Sequence, residues 1–289
     1  MSRFTLNDLE NLTGIRTDTI RIWERRYNIL NPNRTATNRR WYDDNDLKKL
    51  INISILNKKG VKISRIAEMS SDEIARRAES VSELSGNSSD LINSLTLALN
   101  DLDEGLLNDL ILKSVVNIGF EKTFTEVLFP FLKKLGVLWH TGAIDPAFEH
   151  FVTALIRQKL IAASDSITGK KENPGKKVLM FLPEGEFHEL GLLFYAYLLH
   201  KKNFRVLYLG QSLPFESLES ISGKWKPEIL VTGAQSDIAI GSPEKYLEKL
   251  GENFKDKLIL AGGILSECAG QLKKKNLIPL NNETDLEAL

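Results

Sequence analysis

The chain has 289 residues, 42% of them hydrophobic and 26% charged, which is length for two or three domains rather than one core. No apolar run approaches the ~20 residues needed to cross a bilayer, and the N-terminus opens without an apolar leader-like core, so a cytoplasmic protein with no membrane partner is expected. A single cysteine, Cys268, excludes an intramolecular disulfide and a cysteine-based metal site. Net charge is zero, yet residues 1–65 carry 14 Lys and Arg against 7 Asp and Glu, while the remainder carries 24 against 31. A basic end on an acidic body points to a polyanion partner for the first segment.

In chain order, Phe4 to Leu12 predicts a short helix, with Thr5 and Asp8 as a capping box and Leu6, Leu9 and Leu12 as its apolar face. Gly14 permits a tight turn. Thr17 or Asp18 then caps a second helix over 19–27, in which Ile20 and Trp23 face inward and Arg21, Arg25 and Arg26 remain available to a ligand. Two short helices across a glycine turn make a helix-turn-helix, whose second helix enters a major groove. Residues 30–42 then predict a turn and short hairpin bearing Arg34, Arg39 and Arg40, a wing able to reach phosphates. A helix follows over 43–56, and a turn and short helix over 59–67.

Residues 3–74 resemble the winged helix-turn-helix of the MerR family of transcription regulators. The resemblance is carried by Thr13-Gly14-Ile15, by the run from Thr19 to Tyr27, and by Arg34-Thr35 with Arg40-Trp41-Tyr42. It implies a double-stranded DNA operator as partner, with Arg16, Thr17, Arg21 and Arg25 at the groove and Arg34, Arg40 and Tyr42 on the backbone.

Residues 79–90 are Ser-rich and weakly apolar, and they predict a linker that lets the basic head move. Apolar residues then recur at helical spacing over 91–102, 106–118, 124–138 and 148–167, which predicts a four-helix bundle. Between its last two helices lies Trp139-His140, and nine residues separate Trp139 from Glu149-His150. Pro146 stands where a helix start tolerates proline.

From Lys176, short apolar strands (178–182, 205–209, 229–232, 258–261 and 277–280) alternate with helices over 189–200, 216–224 and 244–250. This predicts an α/β doubly wound parallel sheet, which binds ligands at the carboxyl ends of its strands. The loops expected there are 183–191, 210–214, 233–237 and Gly262-Gly263. Three of the four histidines, His140, His150 and His188, fall in loop or helix-end positions rather than in an apolar run.

This last domain resembles the Rossmann-like cobalamin-binding fold of methionine synthase and methylmalonyl-CoA mutase. The matching residues are Glu186-x-His188-x-x-Gly191, then Thr232-Gly233-Ala234, then Gly262-Gly263. The family pattern has Asp in place of Glu186, and Ser-x-Leu in place of Thr232-Gly233-Ala234. The resemblance implies that His188 ligates cobalt from below, that Glu186 orients it, and that the glycines admit the nucleotide tail.

As a whole the chain is expected to be multidomain: an all-α winged helix-turn-helix over 1–75, a linker over 76–90, a four-helix bundle over 91–170, and the Rossmann-like sheet domain over 171–289. That order resembles the CarH/LitR group of light-sensing MerR-type regulators. The resemblance implies a non-enzymatic transcription regulator carrying cobalamin, in its adenosyl form, and a dimer or tetramer whose assembly governs operator binding. Trp139, Glu149 and His150 would cap the upper face, and His140 would reach cobalt after photolysis. Two alternatives remain open at this point: a regulator of the same architecture with a degenerate or light-independent sensor, and a corrinoid methyl-carrier protein.

Overall fold

The computed structural model describes residues 3–35, 38–84, 88–140, 144–168, 175–235 and 241–289, without the side chains of 79–84, 139–140, 168 and 288. The chain divides into two compact units, Met1–Thr153 and Ala154–Leu289.

In the first unit, helix α1 (Leu6–Thr13) starts on the expected capping box: Asp8 accepts from both the backbone and the hydroxyl of Thr5, each at 2.7 Å. Gly14, at φ 72°, takes the left-handed conformation that ends it. Helix α2 (Thr17–Tyr27) begins two residues earlier than expected, and neither Thr17 nor Asp18 caps it. The Thr17 amide instead donates to Glu10 Oε2 of α1 at 2.9 Å, so the turn is closed by a side chain of the preceding helix. Strands β1 (Asn33–Arg34) and β2 (Arg40–Trp41) pair antiparallel as the wing, and a bridge between Phe4 and Tyr42 ties the N-terminus to it.

Helix α3 (Asp44–Lys58) is capped by Asp43 and buries Leu47, Leu50, Ile51 and Ile53 to Leu56. A helix buried nearly all round must be covered on several sides. α1, α4 (Ile63–Ala67), α5 (Ser71–Leu84) and α6 (Ser88–Asn100) supply that cover. The expected linker is thereby corrected. α5 runs to Leu84, α6 starts at Ser88, and α6 packs against α3, so among the described residues of 76–90 the chain is helical. Charges reinforce the dock, with Lys48 on Asp101 and Lys59 3.7 Å from the buried Asp90. Ser80, Ser82, Ser88 and Ser89, which suggested a flexible tether, sit in helical turns.

Helix α7 (Glu104–Ile118) ends at Gly119 (φ 88°), and α8 (Phe120–Lys122) passes through a π-helical stretch, Thr123–Leu128, into α9 (Phe129–His140). The stretch buries Phe124, Val127 and Leu128, and Thr123 Oγ1 lies 2.9 Å from Ser114 Oγ. Helix α10 (Pro146–Thr168) carries Pro146 at its first position, as the sequence suggested. The division between the two units falls inside it. No helix among the described residues is long and apolar enough to cross a membrane.

The second unit holds a five-stranded, wholly parallel sheet: β3 (Lys177–Met180), β4 (Arg205–Tyr208), β5 (Ile229–Ala234), β6 (Leu258–Gly263) and β7 (Leu277–Leu280), in the order β4-β3-β5-β6-β7. Helices α11 (Leu190–Lys201), α12 (Phe215–Trp225), α13 (Pro243–Asn253) and α14 (Ile264–Leu272) make the crossovers. The sequence reading missed α14. Two expected loops are also corrected: Gly233 and Ala234 belong to β5, and Gly262 and Gly263 to β6, in register as Gly233↔Gly262 and Ala234↔Gly263. The order places the switch point at the carboxyl ends of β3 and β5, where neighbouring crossovers leave in opposite directions.

Candidate functional site

Two sites emerge, one in each unit. In the first, α2 and the wing border an open cleft of about 600 Å³. Arg21, Arg25, Arg34 and Arg40 all line it, and each is exposed. Arg16, Arg26 and Arg39 are exposed but lie outside it, and Thr17 is half-buried. The arginines are only lightly engaged. Arg21 is 3.3 Å from Asp18, and Arg34 donates to Asn38 Oδ1 at 2.7 Å. Such exposed contacts are worth little and give way to phosphate.

Tyr42 is corrected. Its ring is fully buried, and its hydroxyl donates to Glu24 of α2, so it cannot hold a DNA backbone. Burial first, and then the Glu24 carboxylate, push its phenol well above the ordinary value. Glu24 also lies 3.7 Å from the Arg40 Nε, so one carboxylate fixes the wing to the second helix.

In the second unit, the segment 183–189 after β3 is built around Glu186, which is 1% exposed. Its Oε1 accepts the amides of Phe187 (2.8 Å) and His188 (2.9 Å) and meets His188 Nδ1 at 2.6 Å. Its Oε2 accepts the Gln235 amide at 2.7 Å. Burial acts to raise the Glu186 carboxyl, but the His188 and Gln235 amides and the His188 ring outweigh it and hold it below the ordinary value. A carboxylate on Nδ1 fixes that nitrogen as the N–H donor and leaves Nε2 as a lone-pair ligand. The His188 side chain is 59% exposed. Gly185 donates to Ser212 Oγ at 3.0 Å and Gln211 Nε2 to the Phe187 carbonyl at 2.8 Å, lacing the segment to the loop after β4.

Thr232 is buried at the end of β5 with a hydroxyl that makes no well-formed hydrogen bond, although the Tyr246 phenol lies near it. A Cβ at Gly191 would meet no protein atom within 4 Å, so packing within the chain does not demand glycine there. At Gly263, by contrast, φ is +64° and a Cβ would sit 2.0 Å from the Ala234 carbonyl oxygen, so the sheet itself requires that glycine. Among the described residues no group of three or more His, Cys, Asp or Glu could hold a bare metal ion. With an imidazole of fixed tautomer, a buried hydroxyl at Thr232 and open space at Gly191, the residues present fit a corrin, which carries most of its metal's ligands itself.

Two regions of the chain match known families. Residues 4–73 match the model for the MerR HTH family regulatory protein, and residues 91–163 match a B12 binding domain. The HTH-type transcriptional repressor CarH of Myxococcus xanthus is 30% identical over 254 residues, spanning 86% of this chain and 83% of its own. The chain belongs to the MerR family of cobalamin-binding transcriptional regulators. The repressor CarA of the same organism is 27% identical over 247 residues, 85% of this chain and 80% of its own. The monomethylamine corrinoid protein of Methanosarcina barkeri shares the fold, with a TM-score of 0.54 at 16% identity over 70% of this chain and 96% of that one.

As a MerR-family regulator the chain is a DNA-binding protein rather than an enzyme, and its named relatives are repressors, not methyl carriers. At the start of α10, Glu149 Oε1 accepts from Thr153 at 2.8 Å, and its Oε2 lies 3.5 Å from Nδ1 of His150, a side chain 80% exposed. The side chains of Trp139 and His140 lie outside the described residues. Sequence reasoning missed Glu10, Glu24, Gln211, Ser212 and Gln235. Glu24 lies within the Thr19–Tyr27 run, but its bond to Tyr42 eighteen residues on leaves no trace there, and the others act through partners 7 to 49 residues away.

Proposed function

We propose that this regulator senses adenosylcobalamin and light, and that His188 Nε2 is the lower axial ligand. The observation that carries this is the buried Glu186 carboxylate on His188 Nδ1. Adenosylcobalamin, when bound, would supply a metal for the His188 imidazole and a light-labile bond. Glu186 holds the His188 tautomer and ring plane. Gly191 leaves space beside them, Thr232 offers a hydroxyl, and Gly262 and Gly263 keep the β5 and β6 backbones close. Trp139, Glu149 and His150 are assigned to the upper face, and His140 to the upper position after illumination. Arg16, Thr17, Arg21, Arg25 and Arg26 face the operator from α2, while Arg34, Arg39 and Arg40 hold its backbone from the wing.

The chain then self-associates as a dimer or tetramer in the dark, so that several heads engage neighbouring sites and gain affinity by avidity. Illumination shifts that equilibrium only if the two assembly states hold the cofactor with different free energy. A contact of Trp139, Glu149 and His150 with the cofactor that is lost on illumination would provide that difference. The test is the visible spectrum of the full chain loaded with adenosylcobalamin, for wild type and His188→Ala, together with operator binding before and after green light. The expected result is a spectrum that changes on illumination and an affinity that falls with it. A colourless wild type, or operator binding indifferent to light, sinks the proposal.

A further inference from the structure

Glu189 directly follows His188 and occupies the N-cap position of α11, where a short Asp, Ser or Thr side chain ordinarily turns onto the first amides of the helix. It makes no such bond. Both carboxylate oxygens are instead committed to other elements: Oε1 to Arg157 of α10 at 2.8 Å, and Oε2 to the Tyr208 hydroxyl at the end of β4 at 2.7 Å. The Glu189 side chain is 11% exposed, while Arg157 reaches it from a side chain that keeps 40% of its surface in solvent. Burial, and then Glu189, push the Tyr208 phenol well above its ordinary value. The Arg157 Nε is buried without a hydrogen-bond partner.

The backbone makes the arrangement consequential for His188. The Glu189 amide donates to the Phe187 carbonyl at 3.0 Å, closing a three-residue turn centred on His188. Gln211 holds one side of that turn through Phe187, and Arg157 and Tyr208 hold the other through Glu189. Glu186 fixes the ring, but nothing in the Glu186 contacts fixes the far end of the turn. We propose that Arg157, with Glu189 and Tyr208, is a positioning device that sets the His188 turn against helix α10. Arg157 lies seven residues after His150, on the same face of a continuous helix. A displacement of α10 is thus felt at the turn bearing the lower ligand. This inference rests on the cofactor reading above.

The test uses the full chain and four variants: Arg157→Met, Arg157→Lys, Glu189→Gln, and Arg157→Met with Glu189→Gln. Each is titrated with hydroxocobalamin while the absorption bands sensitive to an axial imidazole are recorded. Arg157→Met and Glu189→Gln are each expected to weaken binding about tenfold and to lower the imidazole-ligated fraction, the size seen when an outer partner of a ligand is lost. The double variant is expected to be no worse than either single, and Arg157→Lys to recover part of the loss. In cofactor-free protein, amide exchange of Phe187 to Leu190 should quicken in Arg157→Met. Wild-type affinity and spectrum in Arg157→Met, additive losses in the double variant, or unchanged exchange at these amides would each overturn the positioning role. A wild type that takes up no cobalamin fails differently, overturning the cofactor reading and this inference together. If Arg157→Met does not fold, Tyr208→Phe, which removes only one hydroxyl, carries the same comparison with a smaller loss.

Discussion

Glu186→Gln is the most informative single change to the cofactor site. The amide oxygen can keep the Oε1 position, where it still faces the Phe187 and His188 amides and His188 Nδ1. The NH2 group then stands where Oε2 accepts the Gln235 amide at 2.7 Å, so two donors meet. Rotating the amide is worse, because its NH2 would then face three donors. An unsatisfied buried amide costs about 1–3 kcal/mol, and loss of charge weakens each of the three retained bonds by about 1 kcal/mol. Relief from burying a charge offsets part of this, leaving a net loss of about 2–4 kcal/mol from the sheet domain. Trp225 is the one tryptophan of residues 154–289, and its fluorescence in a urea titration of a Trp23, Trp41 and Trp139 to Phe background reports that domain alone. Cobalamin affinity should fall about 10- to 100-fold, since an amide acceptor leaves the imidazole a weaker base. If Glu186→Gln unfolds at the wild-type midpoint and binds with wild-type affinity, the carboxylate does not organise the segment and the central geometric argument fails.

Arg34→Ala should weaken operator binding and lower the salt dependence by about 0.9 in the log–log slope, measured by fluorescence anisotropy at several salt concentrations. Tyr42→Phe should leave that slope unchanged while costing about 1–2 kcal/mol of head stability, because its hydroxyl serves Glu24 and not DNA. The two glycines should separate cleanly in thermal melts and cobalamin titrations. Gly263→Ala should destabilise the sheet by well over about 1 kcal/mol, whereas Gly191→Ala should leave the free protein as stable or up to about 1 kcal/mol more so, yet bind cobalamin less tightly. Burial, and then the charge of Lys58, lower the pKa of Lys134, whose Nζ donates to the Leu12 carbonyl at 3.3 Å. The unfolded chain therefore holds this proton to higher pH than the folded one, and stability should rise between the folded pKa and 10.5. Urea titrations across that range should show the slope in wild type and its loss in Lys134→Met.

Local chemistry made much of this legible. Thr5 and Asp8, the wing strands at 33–34 and 40–41, and the five apolar strands announce themselves by spacing alone, whereas Glu186, His188 and Gly191 stand out only through a family resemblance. What failed has physical reasons. Helix α14 has its apolar residues at 264, 265, 268, 269 and 272, a helical pattern hidden beside the Gly262-Gly263 pair, which reads as a loop until strand pairing is known. The π-helical stretch leaves no trace, since its extra residue per turn is chosen by what Phe124 and Leu128 must reach. The family resemblance makes Tyr42 a phosphate ligand, and only the fold reveals Glu24 against its hydroxyl. Gln235 supplies a backbone amide, which no side-chain pattern can signal.

The corrected linker changes how the head must work. In a flexibly tethered head, avidity depends on linker length alone, and the helical region need only bring heads near one another. Here α3 is buried by α5 and α6 as well as by α1, and its apolar residues Ile53, Ile55 and Leu56 are almost wholly covered. Swinging the head away from α6 would return part of that surface to water, at about 25 cal/mol for each Å² of apolar area. The Lys48–Asp101 and Lys59–Asp90 contacts would be lost with it. The orientation of α2 is therefore set by the helices that follow it. In an assembly of the kind proposed above, a rearrangement of α6 to α9 would reach the operator as a change in the spacing of recognition helices rather than as the slackening of a tether, and spacing that no longer matched the half-sites would remove avidity.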